Sequence, residues 1–216
     1  MTRFTPLLLG TALLLVIVVA GLIGGPHFAY DLRTDMWFIG WRAEHVQLTR
    51  AILAFTQLGG SVVLVPLVLV VTAWLWLRGD RRTALLFFGT TMSGRAMIEL
   101  IKWLVDRPRP SFDPYPVIVS VQSFPSGHAG NSTLTYVSLA VFAVPARWRR
   151  AALPAALALA VAIGCTRPIL GVHWPSDVLA GWCFGLLWIL LWWRFSRPGE
   201  TAASGYWPAS LAAGQD

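Results

Sequence analysis

Long apolar runs broken by short polar punctuation dominate this 216-residue chain. A helix needs about 20 mostly apolar residues to cross a bilayer. Six stretches approach that length: 7–23, Ser61–Leu77, 83–105, 129–145, 151–166 and 175–193. Charge, Pro or Gly bounds each of them. The pattern predicts an all-α fold, an integral membrane bundle of six transmembrane helices occupying 1–195 as one domain. Residues 196–216 are rich in Gly, Ala, Ser and Pro and read as a disordered tail. Arg3 followed by an apolar run ending in Gly-Gly also fits a cleavable signal, but the run is long for one, which favours a retained helix. In the long 26–60 loop, Leu48, Ile52, Phe55 and Gly59 recur at helical spacing, with Ala51 and Leu58 beside them. That stripe predicts a short amphipathic helix lying on the membrane interface. There is no internal repeat.

Composition agrees with the pattern. Hydrophobic residues make up 56% and charged ones 12%, against roughly 25% charged in an ordinary soluble domain. The formal charge of +7 is spread over short loops, which argues against nucleic-acid binding. With six alternating helices, Arg3, Arg78, Arg81, Arg82, Arg147, Arg149, Arg150, Arg194 and Arg197 fall on one side. The positive-inside rule makes that side cytoplasmic, with both termini there. Trp74, Trp76, Trp148, Trp192 and Trp193 then mark the inner interface, and Trp37, Trp41, Trp103 and Trp174 the outer one. Cys165 and Cys183 stand in apolar segments and read as packing residues; two thiols give no disulfide framework.

Three polar stretches carry candidate chemistry. Among the 17 basic side chains the single lysine is Lys102. It follows Arg82 by twenty residues, about 30 Å of helix and one hydrocarbon thickness. Pro108 and Pro110 are expected to stop that helix and let Arg109 fold back toward Lys102. Alone, this pair would equally serve as snorkelling anchors. Next, Phe124-Pro125-Ser126-Gly127-His128 opens an apolar helix, so unpaired N–H groups and the helix dipole there favour an anion, or Ser126 simply caps the helix. His128 beside it is a proton donor or an interfacial histidine. Last, Arg167 is followed by Pro168, which is expected to end helix five, and His173 stands four residues before Asp177. Such a pair reduces the cost of an aspartate entering a membrane helix and fixes the imidazole tautomer, leaving the other nitrogen as nucleophile or base, or it is purely structural.

Topology joins the three. Lys102 ends helix three, His128 starts helix four, Arg167 ends helix five and His173 starts helix six, so all face the outer side. Cations, a helix N-terminus and two histidines together form a phosphate site. No His/Glu pair stands at metal-ligand spacing.

These residues resemble the type 2 phosphatidic acid phosphatase superfamily, which includes the vanadium haloperoxidases. The likeness rests on Lys102 and Arg109-Pro110, on Pro125-Ser126-Gly127-His128, and on Arg167, His173 and Asp177 at their spacings. It covers 102–177 in motifs and about 5–195 in hydropathy. Thr166 departs from the usual Ser but keeps the hydroxyl, and Pro168 after Arg167 is unusual. The resemblance implies that His173 attacks phosphorus, Asp177 orients it, and His128 protonates the leaving oxygen and then activates water. It assigns phosphate binding to Lys102, Arg109, Ser126, Gly127 and Arg167, and it implies no metal or other cofactor.

The resulting expectation is a metal-independent lipid phosphatase of the cytoplasmic membrane whose site opens outward. Undecaprenyl diphosphate is the first candidate substrate, then phosphatidylglycerol phosphate and phosphatidate, then lipid A phosphate. The alternatives are a lipid phosphotransferase and, outside enzymes, a lipid transporter or binding protein. Arg95 and Glu99, four apart within helix three, are expected to pair. Asp106 and Arg107 are expected to serve the helix end, and His27 and His45 carry no motif.

Overall fold

The computed structural model describes Val19, residues 28–110 and residues 122–196. The first expected span, 7–23, most of the tail and His27 lie outside these. The fold is all-α. Helix α1 is Ala29–Glu44 and α2 is Val46–Thr56, joined by a 3-10 turn to α3, Ser61–Leu77. Helix α4 is Arg81–Val105, α5 spans 127–143, α6 is Ala146–Ile169 and α7 is Pro175–Phe195.

Among the described residues, four stretches are long and apolar enough to cross a membrane: Val46–Leu77, Arg81–Val105, Ala146–Ile169 and Pro175–Arg194. Their exposed Val62, Leu77, Leu104 and Leu187 suit a lipid surrounding rather than water. Helix α5 differs. It starts as an α-helix, Gly127–Ser132, and widens into π-turns at Thr133–Val137 and Leu139–Ala143. It carries Asn131, Ser132, Thr133, Thr135 and Ser138, all buried. Such a helix is too polar to face lipid, and it packs centrally against α4, α6 and α7. Ile98, Leu134, Val137 and Ile189 form the core where three of these helices meet.

The stripe at Leu48, Ile52 and Phe55 does fold as a helix, α2. Helix α1 was not foreseen, because apolar and polar positions are mixed along Ala29–Glu44. Helices α1 and α2 both pack on α6, and α1 also touches α7.

Two helix ends differ from expectation. Helix α4 stops before the prolines, at Asp106, whose left-handed backbone (φ 45°) returns its N–H to the Lys102 carbonyl at 2.9 Å. Helix α6 passes through Pro168 to Ile169. In a last turn the proline forfeits one backbone hydrogen bond without blocking the helix, and its fixed φ is helical. The stop is Gly171, whose φ of +68° is the left-handed geometry that favours glycine.

Candidate active site

The bundle gathers the helix ends at one face. Lys102 comes from the last turn of α4, Arg109 from the segment after it, and Ser126, Gly127 and His128 from the start of α5. Arg167 lies in the last turn of α6, and His173 in the link to α7. Asp177 is in the first turn of α7. A small cavity of about 160 Å³ is lined by Lys102, Arg109, Gly127, His128, Arg167 and His173, with Asn131, Gly59, Ser61 and Glu99 completing its wall. Every sequence-predicted site residue except Ser126 and Asp177 lines it. Those two are fully buried beside it.

The His173 ring is the centre of the arrangement. Arg109 Nη1 lies 3.0 Å from Nε2. A guanidinium can only donate, so Nε2 is the acceptor and the ring proton sits on Nδ1. Nδ1 faces Ser123 Oγ at 3.3 Å and Asp177 Oδ2 at 3.5 Å. Burial, then Arg109, Arg167 and Lys102, push the His173 pKa well below its ordinary 6.5, while a main-chain hydrogen bond at Ser123 opposes them. The neutral ring therefore carries its lone pair at Nε2, where it accepts from Arg109 at the cavity wall.

The cations are held by different means. Arg109 also donates to the Val172 carbonyl. Arg167 donates to Thr56 Oγ1 at 3.0 Å, and Thr56 is 2.7 Å from Thr166 Oγ1. Thr166, where the family usually has Ser, donates its hydroxyl to the Ile163 carbonyl and accepts from Thr56. Lys102 Nζ rests 3.3 Å from Glu99 and sits so close to Gly127 that a Cβ there would lie 3.2 Å from the ammonium. A side chain at 127 would press on the ammonium and shift it by a few tenths of an ångström. Ser126 Oγ makes no hydrogen bond among the described residues, so it does not cap α5. Its N–H instead meets the Asp177 carbonyl at 2.9 Å.

A family model described as the PAP2 superfamily matches residues 83–199. The chain belongs to the PAP2 superfamily. Relatives agree. It is 34% identical to phosphatidylglycerophosphatase B of Bacillus subtilis over 148 residues, 65% of this chain and 71% of the relative. It is 38% identical to a lipid A 1-phosphatase of Rhizobium johnstonii over 117 residues, 50% of this chain and 45% of that one. A solved structure, the transmembrane PAP2 type phosphatidylglycerolphosphate phosphatase from Bacillus subtilis, superposes with a TM-score of 0.78 at 28% identity. The match covers 89% of this chain and 96% of that one. This PAP2 chain is thus a membrane lipid phosphatase by family.

Several polar residues lie elsewhere than expected. Arg95 does not pair with Glu99: it reaches Ser61 Oγ on α3, while Glu99 takes Lys102. Four residues apart on a helix permits a contact, but closer partners won both side chains. Arg107 does not serve the helix end. It is buried between Asp177 and Asp31, because Asp106 turns the chain inward before it. Asp177 is consequently shared among Arg107, the Ser123 hydroxyl, the Trp174 N–H and His173. Trp174 is not an interfacial belt residue. It is 2% exposed, and its indole N–H donates to the Pro108 carbonyl at 2.9 Å.

Sequence reasoning missed Thr56, Ser123, Arg107 and Asp31. Asp31 and Asp35, four apart in the outer segment, were the one available signal for the last of these.

Proposed function

We propose that this PAP2 phosphatase removes phosphate from a lipid through a covalent intermediate on His173. The observation that carries the reading is the ring itself: its Nε2 accepts from Arg109 at a cavity walled by Lys102, Arg109 and Arg167, and its Nδ1 faces Ser123 and Asp177. Arg109 leaves Nε2 for the phosphoryl oxygens as substrate enters. Nε2 attacks phosphorus, and the bond from phosphorus to the lipid-side oxygen breaks. His128, kept neutral before substrate enters by burial and then by Arg167, takes up a proton from solvent as the anionic substrate offsets the cations, and delivers it to that oxygen. His128 then takes a proton from water as the water oxygen displaces Nε2, releasing inorganic phosphate. Lys102, Arg109, Arg167 and the N–H of Gly127 hold the oxygens on which charge accumulates, with the Ser126 hydroxyl beside them. Asp177 stabilises the ring as it becomes cationic. This scheme routes no step through a metal.

The cavity is smaller than typical sites of 300–1,000 Å³ that engulf a ligand. It suits a phosphoryl head whose lipid body stays in the bilayer. Phosphatidylglycerol phosphate stands first as substrate, since a relative and a solved structure both carry that activity in their names. Undecaprenyl diphosphate, first on the sequence alone, is the comparison to run beside it. The arginine distribution supports a site on the outer face of the cytoplasmic membrane with both termini inside.

Phosphate release by purified protein from a panel of these lipids, with phosphatidate and lipid A, tests the reading. Release is expected in excess chelator, with vanadate inhibiting as a mimic of five-coordinate phosphorus. Failure on every lipid, or activity restored only by a divalent ion, would overturn it.

A further inference from the structure

Behind the His173 ring lies an ion group that the sequence motifs do not contain. Arg107 places Nη1 2.5 Å from Asp177 Oδ1 and Nη2 2.9 Å from Asp31 Oδ2. Asp31 also accepts from the Ser176 N–H at 2.9 Å and from the Ser176 hydroxyl at 2.5 Å. Ser176 is the residue before Asp177, and its hydroxyl lies 2.8 Å from Arg107 Nη1. All four side chains are buried, Asp31 and Asp177 completely. Asp31 stands on α1, outside the 83–199 segment that the family model matches.

The charges explain why a second carboxylate is there. Arg107 and Asp177 alone would form a neutral pair. Asp177 would then offer little charge to a ring that turns cationic when Nε2 takes phosphorus. Asp31 shares the guanidinium, and the group of two carboxylates and one cation returns to a net negative charge. The same carboxylate holds the main chain of Ser176, and with it the first turn of α7 that carries Asp177. We propose that Asp31 is a positioning residue for phosphoryl transfer: through Arg107 and Ser176 it sets the charge and the aim of Asp177 toward His173. The inference rests on the reading of His173 as nucleophile.

A purely structural role, α1 anchored to α7, predicts something different. Asp35 lies one turn further along α1 and is also fully buried, and its oxygens have no hydrogen-bond partner among the described residues. It therefore serves as the packing control. The test compares Asp31→Asn, which keeps shape but removes charge, with Asp35→Asn, both as full-length protein in detergent. Asp31→Asn is expected to lower kcat about tenfold or more with KM within about twofold, since only the chemical step loses stabilisation. Asp35→Asn should keep the wild-type kcat. Wild-type kcat in folded Asp31→Asn, or equal losses in both variants, would overturn the proposal. If Asp31→Asn does not fold, Arg107→Lys replaces it. A lysine keeps the cation but not the fork that bridges two carboxylates, so the same kcat loss is expected and wild-type kcat overturns the proposal. Labelled phosphate trapped on wild-type His173 is the prior check. Its absence would overturn the nucleophile reading before any variant is made.

Discussion

The two sides of the His173 ring are built from opposite charges. On the Nε2 side stand Lys102, Arg109 and Arg167, and the carboxylate in that wall, Glu99, is more than half exposed. On the Nδ1 side stand Asp177 and Asp31 around Arg107, all buried. The front is an unbalanced cluster of cations, costly to fold and useful only when an anion enters. The back is a hydrogen-bonded network of paired charges that the folded chain needs whether or not substrate is present. Function and stability are therefore expected to separate across a single imidazole.

Removing one arginine from each side gives the largest contrast. Arg109→Met should lower kcat/KM by about 10²–10³, the cost of losing one donor to developing charge, with Tm unchanged or raised because a repelled buried cation is gone. Arg107→Met should instead leave two buried carboxylates without their shared cation, costing about 3–5 kcal/mol. In a chain of this size that is a Tm loss of about 10 °C. Kinetic assays and thermal melts on both variants check the pair, and equal Tm losses would erase the distinction.

Lys102→Arg sharpens the front side. The ammonium rests against Gly127, where a Cβ would already be 3.2 Å away. A guanidinium is larger and directional, and it would move the phosphate off the line of attack from Nε2. The expected loss in kcat/KM is at least about tenfold, roughly 1.4 kcal/mol, with normal folding. Near-normal kinetics would mean that the position needs only a charge.

Asp35, one turn along α1 from Asp31, gives a sign to check. Burial, then Asp31 and Asp177, raise its pKa from 3.8 to about 8, against Arg42 and Arg107. The folded chain thus keeps a proton that the unfolded chain loses above pH 3.8. Stability falls as pH rises through that window and levels off above about 8. Asp35→Asn removes this dependence. Its Tm should match wild type near pH 4 and exceed it at pH 8, measured by thermal melts across that range.

The same division explains what was legible in the sequence. Lys102 with Arg109, Ser126 with His128, and Arg167 with His173 and Asp177 each lie within one short segment beside a helix end. Local spacing and alternating topology were enough to bring them to one face. The back side is assembled from α1, the 106–110 turn, Ser123 and α7, so tertiary packing alone unites it. Thr56, which holds Arg167 from α2, was hidden for the same reason. Four spans stand out as apolar runs among the described residues, whereas the apolar run over α5 does not tell that its hydroxyls face inward. Pro168 was weighed as a helix breaker when Gly171 sets the end.

The central claim is that His173 Nε2 becomes bonded to phosphorus. Substrate labelled in its phosphate, mixed briefly with the enzyme and quenched in alkaline detergent, tests it by mapping the label with mass spectrometry. The account predicts an acid-labile phosphate on His173 in wild type and none in His173→Ala. A phosphorylated protein in His173→Ala, or a wild-type label on any other residue, would contradict it.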